Sequence, residues 1–213
     1  MTTTVGQHKG STEIPPPRAF PLPYEEDFEG CRPGGMPKYF SDQSGVFETA
    51  RRPDGGKCLR QTVALRGIDW HYYPNPEPYT VVGDAKWRNY EVACDVYVEK
   101  EGYVALFGRI ARARQSSAPQ PPEGYWLKVD TRGRWELKEF DRTLASGAVP
   151  FAADRWHHLA MKFFGPKIFA RIDGFETRIG WAAKFGEGMA GLGSGWNHAM
   201  FDNFSVRPVS SLP

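Results

Sequence analysis

Between Trp156 and Val206 the chain alternates short apolar and polar stretches with turns, and leaves no room for a helix. Trp156-His-His-Leu-Ala-Met-Lys-Phe163 is followed by Ile168-Phe-Ala-Arg-Ile-Asp-Gly174, and the glycine-rich Gly188-Met-Ala-Gly-Leu-Gly-Ser-Gly195 leads into the aromatic Met200-Phe-Asp-Asn-Phe-Ser-Val206. A period of two sends successive side chains to opposite faces, so each segment reads as a strand with one apolar face. Such strands bury that face by stacking on a second sheet. The pattern is that of the closing half of a jelly-roll.

The same punctuation extends back to Tyr24. Candidate strands are Tyr24–Glu29, Val46–Ala50, Lys57–Val63, Thr80–Asp84, Tyr90–Val98, Tyr103–Ala111, Tyr125–Val129, Trp135–Phe140, Trp156–Phe163, Ile168–Ile172, Phe175–Ile179, Met189–Leu192 and Met200–Val206. Val129-Asp-Thr-Arg-Gly-Arg-Trp135 and Arg171-Ile-Asp-Gly-Phe175 read as hairpins, the second with an Asp-Gly turn suited to positive φ. About thirteen strands with no helical period predict an all-β, concanavalin A-like jelly-roll β-sandwich of two antiparallel sheets. The domain is expected over residues 23–208, with 209–213 as a tail. Residues 1–22 end in Pro15-Pro-Pro-Arg-Ala-Phe-Pro-Leu-Pro23 and read as a disordered, proline-rich tail or linker.

Composition narrows the function. Twenty-seven basic against twenty-five acidic side chains leave a net charge of +2, too small a field to argue for a nucleic-acid partner. No apolar run is long enough for a transmembrane segment, and the first twenty residues lack the apolar centre of a secretory signal. Cys31, Cys58 and Cys94 are widely spaced and odd in number, which predicts free, buried thiols. Trp126, Trp135 and Trp156 are expected in the core. His157 and His158 are neighbours in a strand and so face opposite ways, which denies them a common metal ion. The glycines of Gly191-Leu-Gly-Ser-Gly195 precede no helix, so they read as close strand packing and not as a phosphate loop.

Two constellations carry candidate chemistry. Glu25, Asp27 and Glu29 imitate the Glu-x-Asp-x-Glu strand of jelly-roll glucanases. That strand lies mid-chain with apolar residues between its acids, whereas here it opens the domain and Glu26 takes an anchoring position. No catalytic residue is therefore assigned. A calcium ion is a better use of the same acids, because sandwiches of this class often join their terminal strands with one. Asp27 or Glu29, a backbone carbonyl near Gly56, and Asp202 are the expected ligands, Asp202 because a carboxylate interrupting the last strand needs a partner. For a sugar, the long segment before Tyr79 offers Trp70, His71, Tyr72 and Tyr73 as stacking faces, with Arg66 or Asp69 to bond hydroxyls.

The chain also resembles a known family. Asp27-Phe-Glu-Gly30, Pro37-Lys-Tyr-Phe-Ser-Asp-Gln-Ser-Gly-Val-Phe-Glu48, Cys58-Leu-Arg-Gln61, Pro78-Tyr-Thr-Val-Val-Gly-Asp84, Gly124-Tyr-Trp-Leu127 and the Gly188–Val206 block are similar, in order, to the lectin-like C-terminal domain of galactosylceramidase, a lysosomal glycoside hydrolase. The resemblance implies a non-catalytic module that recognises a galactosyl sugar or glycolipid, or that supports a catalytic barrel domain, in a secreted or lysosomal setting. A barrel needs on the order of 200 residues of alternating strands and helices, and only a short tail precedes this sandwich. Hydrolysis of β-galactosides by the chain itself, and service as a docking module, are the alternatives.

Overall fold

The structure, a computed structural model, describes residues 20–66, 76–112 and 122–210. The described residues form fifteen strands: β1 (Tyr24–Glu26), β2 (Ser41–Ser44), β3 (Phe47–Arg51), β4 (Lys57–Gln61), β5 (Tyr79–Val82), β6 (Tyr90–Val98), β7 (Tyr103–Arg112), β8 (Glu123–Asp130), β9 (Arg134–Glu139), β10 (Arg142–Ala148), β11 (Trp156–Phe164), β12 (Lys167–Ile172), β13 (Phe175–Ile179), β14 (Met189–Ser194) and β15 (Ala199–Pro208). They form two antiparallel sheets. The first runs β13-β12-β11-β6-β15-β4-β3, with β1 paired to β15, and the second runs β10-β9-β8-β7-β14-β5-β2.

Period-two patterning explains how the sheets stack. In β6, Tyr90, Val92, Cys94, Val96 and Val98 are all 0% exposed and enter the core between the sheets, while Glu91, Asp95 and Tyr97 face outward. In β8, Tyr125, Leu127 and Val129 do the same from the opposite side. Chain-adjacent strands β5, β6 and β7 alternate between sheets, as do β13, β14 and β15, so the chain crosses the core repeatedly. Phe20 and Leu22, at the end of the expected tail, pack on this core, and the Trp87 indole N–H donates to the Phe20 carbonyl at 3.1 Å.

Three departures from the expected strands have local causes. β1 ends at Glu26, because Phe28 takes a left-handed φ of 59° and turns its ring fully into the core. Glu26 accepts the Phe28 N–H and Asp27 the Glu29 N–H, so Glu25, Asp27 and Glu29 do not line one strand face. β2 and β10 escape the hydrophobic pattern because they are terminal strands of their sheet, β2 all polar and mostly half-buried and β10 mostly exposed. β15 carries a bulge: its pairing to β6 passes from Asp202↔Asp95 to Ser205↔Ala93, which inserts one residue.

That extra residue resets the alternation. Phe201 points inward and Asp202 outward, and Asn203, with φ 49°, lets Phe204 and Val206 point inward again. Asn203 also donates to Asp95 Oδ2 at 2.8 Å. Asn203→Gly is expected to stay within about 1 kcal/mol of the native chain, losing one hydrogen bond, whereas Asn203→Val should cost about 2 kcal/mol or more because a β-branched residue resists this backbone region. Urea unfolding midpoints measure both. Equal effects would mean that the bulge does not depend on the left-handed residue.

Candidate functional site

Antiparallel register builds a groove on the outward face of the second sheet. Lys128 of β8 pairs with Glu136 of β9, and Glu136 pairs with Ser146 of β10. Directly opposed residues share a face. An ammonium, a carboxylate and a hydroxyl therefore stand in a row, while Leu127, Val129 and Leu137 fill the core behind them. Asp130 and Arg134 close one end at the β8–β9 hairpin, ion-paired at 2.7 Å. Asp130 also accepts the N–H groups of Arg132 and Arg134, each at 3.0 Å. Burial pushes its carboxyl upward, but the bonds from Arg134 and the turn outweigh this and hold it below the usual carboxylate range.

The groove measures about 440 Å³, within the range of small-molecule sites. Gly147 completes its β10 wall. Its other flank is aromatic. The Lys128 ammonium lies 3.9 Å above the Tyr103 ring, and burial together with a hydrogen-bonded Glu77 raises the Tyr103 phenol well above its ordinary value. Beyond Tyr103, Trp126 stacks on Phe107 with centroids 5.9 Å apart, Tyr79 lies 6.0 Å from Phe107, and Lys138 sits 5.1 Å over Trp126. Donors and acceptors at the sheet edge thus adjoin a broad aromatic band. Tyr79, Phe107 and Trp126 are themselves buried and Tyr103 is half-buried, so Tyr103 is the ring of this band through which the groove could pair hydroxyl-bonding groups with apolar surface, as sugar sites do.

Of the sugar-binding residues expected from the sequence, Arg66 alone is among the described residues. Asp69, Trp70, His71, Tyr72 and Tyr73 lie outside the described residues. Arg66 is described, and Glu77 shows that the far end of the same segment reaches the groove's aromatic flank. Lys128, Glu136 and Ser146 were not singled out by the sequence, because each is an ordinary outward residue of a strand until the register aligns them.

The expected calcium ligands come close together but are engaged by cations and N–H groups. Glu29 Oε1 accepts the Lys57 N–H at 2.8 Å and packs on Gly56, whose carbonyl accepts the Arg52 N–H at 3.1 Å. Asp202, 3% exposed, is ion-paired with Arg52 and accepts the Asn203 N–H at 2.7 Å. Asp27 is used in its own turn. Among the described residues, no group of three or more His, Cys, Asp or Glu side chains is placed to hold a metal ion. The arrangement does not fit a calcium cage.

Around this point the outer face of the first sheet is densely polar. Burial raises the Asp202 carboxyl. Asp95, its partner across the ladder, is also pushed up by burial, but bonds from His158 at 2.7 Å and Asn203 hold it below the usual range. His158 thus faces out, as expected, and His157 faces in: its ring, 5% exposed, bonds Asp173 at 2.7 Å and stacks on Phe151 at 3.9 Å. Trp126 and Trp135 are buried, but Trp156 is half-buried on the outer face under Arg52. Cys58 and Cys94 are buried free thiols, and Cys31 is half-buried.

Comparison with known proteins bears on the family and the fold. The sequence profile described as "Galactocerebrosidase, C-terminal lectin domain" matches residues 42–209. Galactocerebrosidase of Danio rerio is 29% identical over 225 residues covering 96% of this chain, and that of Mus musculus is 30% identical over 224 residues covering 97%. The chain spans 32% of the length of either relative, about a third. Among solved structures, the carbohydrate-binding module CBM66 from Bacillus subtilis superposes with a TM-score of 0.59 at 16% identity, covering 79% of this chain and 95% of that one. A prokaryotic β-1,3-1,4-glucanase from a mouse hindgut metagenome gives 0.54 at 13% identity, covering 88% and 99%. At such identities these two likenesses speak for the fold.

Proposed function

Because the chain belongs to the galactocerebrosidase C-terminal lectin-domain family, we propose that it is a non-catalytic module that binds a galactosyl sugar, free or on a glycolipid, in the groove of Lys128, Glu136 and Ser146. The observation that carries this reading is the row of three hydroxyl-bonding groups set by register beside the Tyr103 ring. Glu136 would accept from sugar hydroxyls, and Lys128 would donate to them. Two facts support the absence of catalysis. The acids that imitate a glucanase strand are dispersed by the turn at Phe28. Asp95 and Asp202 oppose each other, yet Asp202 is sealed beneath Arg52 and offers no open carboxyl to a glycosidic bond.

Calorimetry with methyl β-galactoside tests the assignment. Glu136→Gln and Lys128→Met should each weaken binding about tenfold or more, the equivalent of one charged hydrogen bond at ~1.5–3 kcal/mol. Unchanged binding in both folded variants overturns the groove, and release of free galactose by the purified chain overturns the non-catalytic reading. A supporting role beside a catalytic domain is favoured by the length of the relatives, which leaves about two-thirds of them outside this module.

A further inference from the structure

The oxygens expected to gather a metal ion are held by two cationic side chains. Lys57 extends its ammonium onto the carbonyl oxygens of Glu29 and Cys31, the latter at 2.9 Å, while its own N–H takes the Glu29 carboxylate. Arg52 stands on the other side of the same turn. One edge of its guanidinium grips Asp54 through two bonds, at 3.0 and 2.7 Å, another nitrogen reaches Asp202, and its backbone N–H takes the Gly56 carbonyl. Its plane lies 4.5 Å over the Trp156 ring, whose indole N–H bonds Asp54. Three separate parts of the chain are joined in this way: the turn after β1, the β3–β4 hairpin, and the bulged centre of β15.

We propose that this lock of Lys57 and Arg52 takes the place of a calcium ion, so that the terminal strands are fastened without metal. Calcium needs about six to eight oxygens at about 2.3–2.6 Å, with few competing donors. Here the Glu29, Cys31 and Gly56 carbonyls and the Glu29 and Asp202 carboxylates all accept from nitrogen, and two positive charges stand within the cluster. A divalent ion would have to displace both. Arginine suits the bridge because its planar fork serves two carboxylates at once while stacking on an indole, which a lysine cannot do. With the Asp202 side chain 4% exposed and that of Arg52 22% exposed, the pair is little screened by solvent.

Thermal melting of the native chain, with millimolar calcium and then with a chelator, should give the same Tm. Arg52→Met should lower Tm by several degrees, because it leaves Asp202 buried without a cation. Adding Asp202→Asn to that variant should recover part of the loss, a response that a merely space-filling Arg52 would not produce. If Arg52→Met does not fold, Lys57→Met is read instead by hydrogen exchange, where faster exchange of the 27–31 turn is expected. A calcium-dependent rise in the native Tm, or the absence of any recovery in the double variant, or unchanged exchange in Lys57→Met, overturns the proposal.

Discussion

Arg109→Met is expected to lower the melting temperature by roughly 10 °C, the equivalent of about 3–5 kcal/mol in a domain of this size. Arg109 is 1% exposed and sits in β7 with φ 47°, where the pairing to β8 slips between Gly108 and Arg112. The slip turns a side chain that alternation would send outward into the end of the sandwich. There its guanidinium donates to three carbonyls, of Arg88 at 3.0 Å, Gly165 at 2.9 Å and Phe185 at 3.2 Å, and lies 5.1 Å over Phe163. Its backbone N–H donates to the buried Tyr90 hydroxyl, which can in turn donate to the Gly188 or Met189 carbonyl.

Two effects compete in this variant. Methionine fills similar space and removes the cost of burying a charge, which depresses the Arg109 pKa through burial. It also strips three carbonyls of their donor, at about 1–3 kcal/mol for each that water cannot reach. The second effect is larger, so a net loss is expected. Arg109→Lys should recover less than half of it, because one ammonium cannot reach carbonyls that a fork reaches in different directions. A Tm within a degree or two of native for Arg109→Met would show that those carbonyls are hydrated and that the arginine is not the plug of this end.

Arg109 also marks how far the sequence could be read. Phe107-Gly-Arg-Ile-Ala111 has the appearance of a strand with an outward arginine, and the inversion at Arg109 depends on a slip against β8 that no local pattern announces. Where each strand has one apolar face, as in β6 and β8, alternation alone located the core, and Asp173, with φ 49°, sits in the turn that its Asp-Gly pair announced. The fold was legible because it repeats that rule. β2 and β10 were not, since β2 has no apolar residue and β10 places only Leu144 and Ala145, adjacent in sequence, against the core, so neither shows an alternation. The sequence marks Asp202 as a carboxylate in need of a partner, and the fold brings Arg52 to it from 150 residues away. The groove depends on register in the same way: Lys128, Glu136 and Ser146 become neighbours only when three strands are aligned.

Gly191 and Gly193 allow the close-packing reading of β14 to be tested quantitatively. β14 lies between β5 and β7, and both glycines face the aromatic band. A Cβ on Gly191 would come 2.5 Å from the Thr80 carbonyl oxygen, which is backbone of the paired strand and cannot withdraw without opening the ladder. A Cβ on Gly193 would meet the Phe107 ring at 2.6 Å and the Pro78 carbonyl at 3.0 Å. The ring can tilt, at the expense of its stack on Trp126. Overpacking a fitted interior typically costs about 1–3 kcal/mol, so Gly191→Ala should fall at or beyond the upper end and Gly193→Ala in the lower half. Guanidinium unfolding midpoints should keep that order, and near-ultraviolet circular dichroism should report a disturbed Trp126 only in the Gly193 variant. The reverse order would place the rigid contact at the aromatic ring and not at the backbone of β5.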